Sequence, residues 1–209
     1  MGRKPSHVAS APARAAPSPV HCHTCHQVIA VADGVTYGSI ETGYRELCSR
    51  CFNEEVARQG GLDFQHVQFE PQDMADAGGA VHRCHFRVHL LGDRVAINVF
   101  EIDEAGNPGG YEFQALGDPE GDLFALMGQL IERMRRTLAQ RHLQEEGGRL
   151  HIADFLARGR IGWDEEEDGR APLVVIDGRA ISWEQFGRML TSFEGWQFRL
   201  EIHDKSEEI

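Results

Sequence analysis

The sequence predicts an α+β protein built as three consecutive units behind a tail, and three observations predict it. Two C-x-x-C pairs, Cys22-x-x-Cys25 and Cys48-x-x-Cys51, lie together near one end. Three segments with period-two alternation (HRCHFRVHL, RVAINVFEI and YEFQAL) precede a long helical stripe of apolar residues. A hairpin signal, LVVIDGRAI, then leads into a capped helix and a further alternating segment, WQFRLEIHD. The expected units are a disordered tail at 1–20, a cysteine unit at 21–61, an antiparallel β-meander plus long helix at 62–148, and a β-hairpin–helix–strand unit at 149–209. The last two either share one sheet or stand apart.

Composition sets the class. The 209 residues carry a formal net charge of −12, with 41% hydrophobic and 26% charged residues, which is ordinary for a globular chain. That acidity opposes non-specific binding to nucleic acid or anionic membrane. No apolar run approaches the ~18 residues needed to cross a bilayer. The start, MGRKPSHVASAPARAAPSPV, lacks the apolar core of a secretory signal and is too rich in Pro and small residues to pack. It faintly matches a transit peptide, and Ser6 fits a myristoylation pattern, but a disordered tail and a cytoplasmic protein are the expectation.

Element by element, QVIAVADGVTYGSI reads as two strands turning at Asp33-Gly34, and CFNEEVARQGG as a short helix stopped by Gly60-Gly61. An irregular connector follows. The first meander strand places Cys84, Phe86, Val88 and Leu90 on one face and Arg83, His85, Arg87 and His89 on the other. Asp118-Pro119 reads as the cap and first position of a helix of six or seven turns, ended by Gly147-Gly148. Its stripe is Leu123, Leu126, Met127, Leu130, Ile131, Met134 and Leu138, suited to lie across the sheet. In the third unit, LVVIDGRAI turns at Asp177-Gly178 and Ser182-Trp183-Glu184-Gln185 fits a capping box. Trp183, Phe186, Leu190 and Phe193 then share a helix face, and the final strand turns Trp196, Phe198, Leu200 and Ile202 inward.

Three chemistries write the string H-C-H-T-C-H at 21–26. A c-type haem would use both cysteines and His26, but its maturation needs export and no export signal is present. A redox dithiol needs a helix N-terminus, which only Cys48 and Cys51 have. Zinc uses both pairs at once: a tetrahedral ion takes four thiolates, and each C-x-x-C turn supplies two. Cys22, Cys25, Cys48 and Cys51 are therefore the expected ligands of one structural Zn²⁺ per chain. Four protein ligands close the shell, leaving His21, His23 and His26 as flanking residues; replacement of one cysteine by one of these histidines is the alternative. Metal binding also supplies folding free energy that about 40 residues with few large apolar side chains lack.

A knuckle, a hairpin and a second ligand pair opening a helix resemble a treble-clef finger over about residues 21–58. The resemblance implies the same four ligands and names no partner. As a whole, the chain is similar to an uncharacterised bacterial family that joins such a finger to a body ending in VVIDGRAISWEQFGRMLTSFEGWQFRLEI. That likeness implies no activity.

Weaker clusters have plainer readings. His82, Cys84, His85 and His89 split between two faces of a strand, giving a buried Cys84 and surface histidines. Asp164–Asp168 lacks the alternation of a calcium loop and reads as a solvated acidic turn. Asp177 is a turn residue, and Ser182 is a cap with no G-x-S-x-G around it. Trp183, Phe186, Phe193, Trp196 and Phe198 should be mostly core, with any surplus forming a partner-binding patch.

The expected function is a non-enzymatic, zinc-stabilised protein-interaction or adaptor module. One alternative is nucleic-acid binding through the finger, helped by Arg45, Arg50, Arg58 and the tail's Arg3, Lys4 and Arg14. Another is an enzyme in the 62–209 body, with a pocket collecting His82, His85 or Asp177.

Overall fold

The structure is a computed structural model in which residues 19–165 and 167–207 are described; the tail readings, including Ser6, Arg3, Lys4 and Arg14, and Glu166 of the acidic turn lie outside them. Eleven strands and three helices are present among the described residues, and every sheet is antiparallel. The first unit pairs β1 (Gly34–Ser39) with β2 (Gly43–Cys48), and α1 (Ser49–Gly60) follows directly. Gly61 ends α1 in the left-handed conformation at φ 64°, as the Gly60-Gly61 signal requires. The hairpin turn lies at residues 40–42, not at Asp33-Gly34: a 3-10 turn, Val31–Asp33, occupies that stretch instead. Tyr37 and Leu47 are needed on paired strands against Phe52, and the later turn allows this.

The central unit is a four-stranded sheet in the order β3-β4-β5-β6. Its members are β3 (Gln72–Ala75), β4 (Val81–Leu91), β5 (Arg94–Ile102) and β6 (Pro108–Gly117). β3 falls within the stretch expected to be irregular. Cys84, Phe86 and Val88 are buried beside Val95, Ile97, Val99 and Phe113 under α2 (Leu123–Leu138), so the anticipated core face is the one used. Met127, Leu130 and Met134 point into this core, each removing apolar surface from water at about 25 cal/mol per Å².

Two helix expectations need correction. The side chain of Asp122, not Asp118, accepts from the backbone N–H groups of Phe124 and Ala125 and caps α2, while Asp118 holds the preceding turn. α2 also ends at Leu138, short of the expected length. Beyond it β7 (Leu143–Glu146) and β8 (Arg149–Ile152) form a hairpin. Gly147 and Gly148, at φ 58° and 74°, are its turn and not a helix stop.

The third unit is a separate three-stranded sheet, β9 (Arg160–Trp163), β10 (Pro172–Ile176) and β11 (Arg179–Ser182), in the order β11-β10-β9. The Asp177-Gly178 turn and the Ser182–Gln185 capping box of α3 (Trp183–Leu190) are present. Ile176, Ile181 and Met189 form its core with Leu143 of the hairpin. The final strand is not formed. Residues 194–203 are irregular and Trp196, Phe198, Leu200 and Ile202 are exposed, as are Trp183 and Leu190, so most of this aromatic group is outside the core. A small core already filled by Met189 and Phe186 leaves these side chains no interior to enter.

β3 covers β4 only over 81–84, leaving the rest of that edge open. The side chain of Asn53, fully buried on α1, takes the place of a strand there. Its Oδ1 accepts from Leu90 N–H (2.8 Å), and its Nδ2 donates to Val88 C=O (2.8 Å). Asn53→Ala would strand two buried strand groups, so chemical denaturation should show a loss of about 2–3 kcal/mol. Glu54→Ala, on the exposed side of the same helix, should leave the midpoint essentially unchanged.

Candidate metal centre

Local backbone chemistry brings the four cysteines together. In the N-terminal knuckle, His26 N–H donates to Cys22 C=O and Cys22 N–H donates to Gln27 C=O, both at 2.9 Å. His26 takes the left-handed φ of 61° that closes so tight a turn. His23 N–H donates to Glu46 C=O (2.8 Å), tying the knuckle to β2 just before Cys48. Cys48 ends β2 and Cys51 lies in the first turn of α1, so the second pair is offered from a strand–helix junction.

All four Sγ atoms lie within 4.8 Å of one another, with Cys25 and Cys48 at 3.9 Å, and all four cysteines are free thiols. Disulfide sulfurs would be about 2.05 Å apart. The cluster can hold a metal ion. Cys22 and Cys51 are buried in the same apolar group as Ile29, Leu47 and Phe52, whereas His21, His23 and His26 are exposed and take no part. Cys22 and Cys25 converge on Cys48 and Cys51, so the two pairs form a single cluster. Burial raises the Cys22 thiol, yet backbone N–H groups of Cys25, Cys48 and Thr24 outweigh it and bring it down to about 6. Burial and the neighbouring sulfurs push Cys51 far up, and burial also raises Cys48. A cation among these sulfurs removes that penalty by stabilising each thiolate.

The cysteine unit is docked, not free. The ring of Phe52 packs edge-on against Tyr37 (5.5 Å) and at a tilt against His89 (5.2 Å) of β4. Ser49 Oγ donates to Asp33 C=O (3.2 Å) and lies 3.4 Å from His89 Nε2. Arg87 Nη1 donates to Ala32 C=O (3.4 Å), and His66 Nδ1 accepts from Asn53 Nδ2 (2.8 Å). The second face of β4, expected to carry surface histidines, is therefore largely covered by this unit. Burial lowers His66, His85 and His89, and the last falls to about 4, with the positive Arg87 and His66 adding to the effect.

A second constellation escaped the sequence reading. His82 is buried between two carboxylates: its Nδ1 donates to Glu101 Oε1 (2.8 Å), and its Nε2 lies 3.5 Å from Asp76 Oδ2. Glu101 Oε2 also accepts from Tyr111 N–H (3.1 Å), aided by a register shift at Phe100/Glu101. A Cβ at Gly110, where φ is 57°, would fall within 1.9 Å of that carboxylate, so a side chain there would be strained and would push Glu101 off its partners. Burial pushes the Tyr111 hydroxyl up, and Asp177, Asp76 and Glu101 add to it. Asp177 Oδ2 in turn accepts from the His142 and Leu143 N–H groups (2.8 and 2.7 Å), joining the third unit to the hairpin. His82 and Asp177 thus do approach one region, but as hydrogen-bond partners of a carboxylate and of backbone N–H groups, while His85 faces the cysteine unit on the other side of the sheet. Cys84 is buried, with its thiol raised to about 11 by burial and then by Glu101 and Asp73, which leaves it a poor nucleophile.

An open recess of about 640 Å³ lies between α2 and β6, lined by Leu116, Leu126, Leu130, Arg133 and Ser206 among others. No histidine, cysteine or tyrosine lines it. Arg45, Arg50 and Arg58 each pair with Glu54 or Glu55 on α1, so the cysteine unit offers no unpaired arginine to phosphate. No described helix is long and apolar enough to cross a membrane.

Three family models match the chain in succession. Each bears the description Domain of unknown function: DUF7685 over residues 21–63, DUF7686 over 65–139 and DUF7713 over 140–207. No curated protein and no solved structure matches it.

The histidine environment sets the sign of a pH response. His89 resists protonation when folded, whereas the unfolded chain takes up a proton near pH 6.5. Stability is therefore full above about 6.5 and falls as pH drops towards 4, by at most about 1.4 kcal/mol per pH unit for one proton. His89→Phe should flatten this dependence between pH 6.5 and 5.5 in denaturant titrations of the metal-loaded protein. An unchanged slope would place the proton uptake elsewhere.

Proposed function

We propose that this protein is a non-enzymatic, zinc-stabilised protein-interaction module of the cytoplasm, with a treble-clef-like finger holding one structural Zn²⁺. The observation that carries this reading is the convergence of four thiols, from a knuckle and a strand–helix junction, into one half-buried cluster on a unit that is itself docked. Four thiolates at about 2.3 Å from a tetrahedral ion stand about 3.8 Å apart, close to the 3.9 Å between Cys25 and Cys48. Four protein ligands leave no open position for a reacting water, which favours a structural ion over a catalytic one.

Binding to nucleic acid would need the finger's helix or its arginines, and α1 is spent against β4 while its arginines are paired with acids. Contact with other polypeptides is supported by the apolar surface of the third unit. Phe155 is exposed there on consecutive left-handed residues, Asp154 and Phe155 (φ 49° and 58°), and stacks on exposed Trp196 at 5.3 Å. Backbone strain of that kind holds an aromatic ring at the surface against its preference for the core.

Elemental analysis of the purified protein should give about one zinc per chain. Cys48→Ser should abolish binding and loosen both the finger and the edge of β4 in hydrogen exchange, leaving the third unit protected. A folded, metal-free protein would overturn the zinc reading. Photo-crosslinking from position 155 in cells should yield adducts to a polypeptide, and their absence would overturn the interaction reading.

A further inference from the structure

Residues 196–202 carry a strand pattern without a strand. Trp196, Phe198, Leu200 and Ile202 alternate with Gln197, Arg199 and Glu201, and the apolar four are 63%, 90%, 73% and 72% exposed. Among the described residues, no backbone N–H or C=O of 197–203 has a backbone partner. Both ends of the segment are nevertheless held. Trp196 N–H donates to Phe193 C=O (2.9 Å), and the Trp196 ring stacks on Phe155. At the far end, Arg133 Nη1 donates to Ser206 C=O and Nη2 to Lys205 C=O, both at 3.0 Å, while Lys205 Nζ approaches Glu112 at 4.0 Å. Within the segment, Arg199 pairs with Glu201, two positions on, so the charged side chains share one side. A segment held at both ends in this way has already lost part of the entropy that strand pairing demands.

We propose that this segment pairs antiparallel with the same segment of a second copy of the chain, about a two-fold axis at Leu200. The register follows from the sequence. Directly opposite residues of an antiparallel pair share a face, so apolar must meet apolar, which restricts the pairing to even sums of residue numbers. With Leu200 opposite the partner's Leu200, Phe198 faces the partner's Ile202, and Arg199 faces the partner's Glu201 at both symmetric positions. Sliding by one step of the two-fold axis puts Arg199 opposite the partner's Arg199, or Glu201 opposite the partner's Glu201. Like charges directly opposite are destabilising, so among these three registers the one centred on Leu200 sets opposite charges face to face, with Trp196 beyond the paired apolar residues. A two-fold pairing is also closed, which prevents the open edge from adding further chains on that side. The apolar side chains, with Phe155, expose roughly 700 Å² per copy, near the ~800 Å² per partner of a standard interface.

This inference rests on the reading of the third unit as a contact surface and names its partner. The test is sedimentation velocity on the full-length, zinc-loaded protein across a range of micromolar concentrations, with metal content and circular dichroism as controls for folding. The wild type should sediment as a dimer, twice its 23.4 kDa. Leu200→Asp places two carboxylates on the axis and should raise the dissociation constant about thirtyfold or more. Arg199→Glu and Glu201→Arg should each weaken the dimer, and the double exchange R199E/E201R should restore it, because it rebuilds both cross-strand pairs. A wild type that stays monomeric, or a dimer indifferent to Leu200→Asp, would overturn the proposal, as would a double exchange no tighter than its singles. Crosslinks from position 155 to a different polypeptide, with a monomeric purified protein, would overturn the second copy while leaving the contact surface in place.

Discussion

Four sulfur atoms gathered within 4.8 Å of one another are the constraint on which the N-terminal third depends. Thiols so close, two of them buried, cannot all ionise without a cation, and as neutral groups they pack only as small apolar side chains. The apolar cluster around them holds just Ile29, Leu47 and Phe52 as large buried residues, too little to fix a knuckle, a hairpin and a helix. A metal ion held by the four cysteines would convert mutually repelling thiolates into the centre of that unit. An ion held there would also fix where α1 begins, because Cys48 and Cys51 bracket its first turn.

Placement of α1 then completes the central sheet. Asn53 supplies the donor and acceptor that β4 lacks beyond the end of β3, so one helix residue does what a strand would otherwise do. Ring contact of Phe52 with His89 and the bond from Arg87 to Ala32 bury a strand face rich in basic side chains. Proton-poor histidines result, and with them a junction that acid weakens. At the other end of the sheet, Glu101 binds His82 and the backbone of Tyr111, giving β4, β5 and β6 a shared polar clamp. The proposed contact surface lies on the outside of the third unit, away from the cysteine cluster and these junctions.

Much of this architecture was legible in the sequence, for identifiable reasons. C-x-x-C spacing is a local signal that brings its own geometry, and strict alternation in β4 identified Cys84, Phe86 and Val88 as core. Gly61, the Asp177-Gly178 turn and the Ser182 box act through neighbouring backbone and were readable for that reason. Failures came where distant partners decide. Asp118-Pro119 and Asp122 both have cap chemistry, and packing of Leu123 against the sheet selects the second. Gly147-Gly148 stops a helix or turns a hairpin equally well, and Leu143, by joining the third core, selects the hairpin. Asn53 and His66 carry no local pattern that announces a junction. WQFRLEIHD has the period of a strand, yet period says nothing about whether a neighbouring edge is present within the same chain.

X-ray absorption at the zinc edge on the protein as purified tests the central claim most directly. The account predicts a single shell of four sulfur scatterers at about 2.3 Å, with no nitrogen or oxygen neighbour. A shell containing imidazole nitrogen, water oxygen or fewer than four sulfurs would contradict it, since the site would then be open or would draw on His21, His23 or His26.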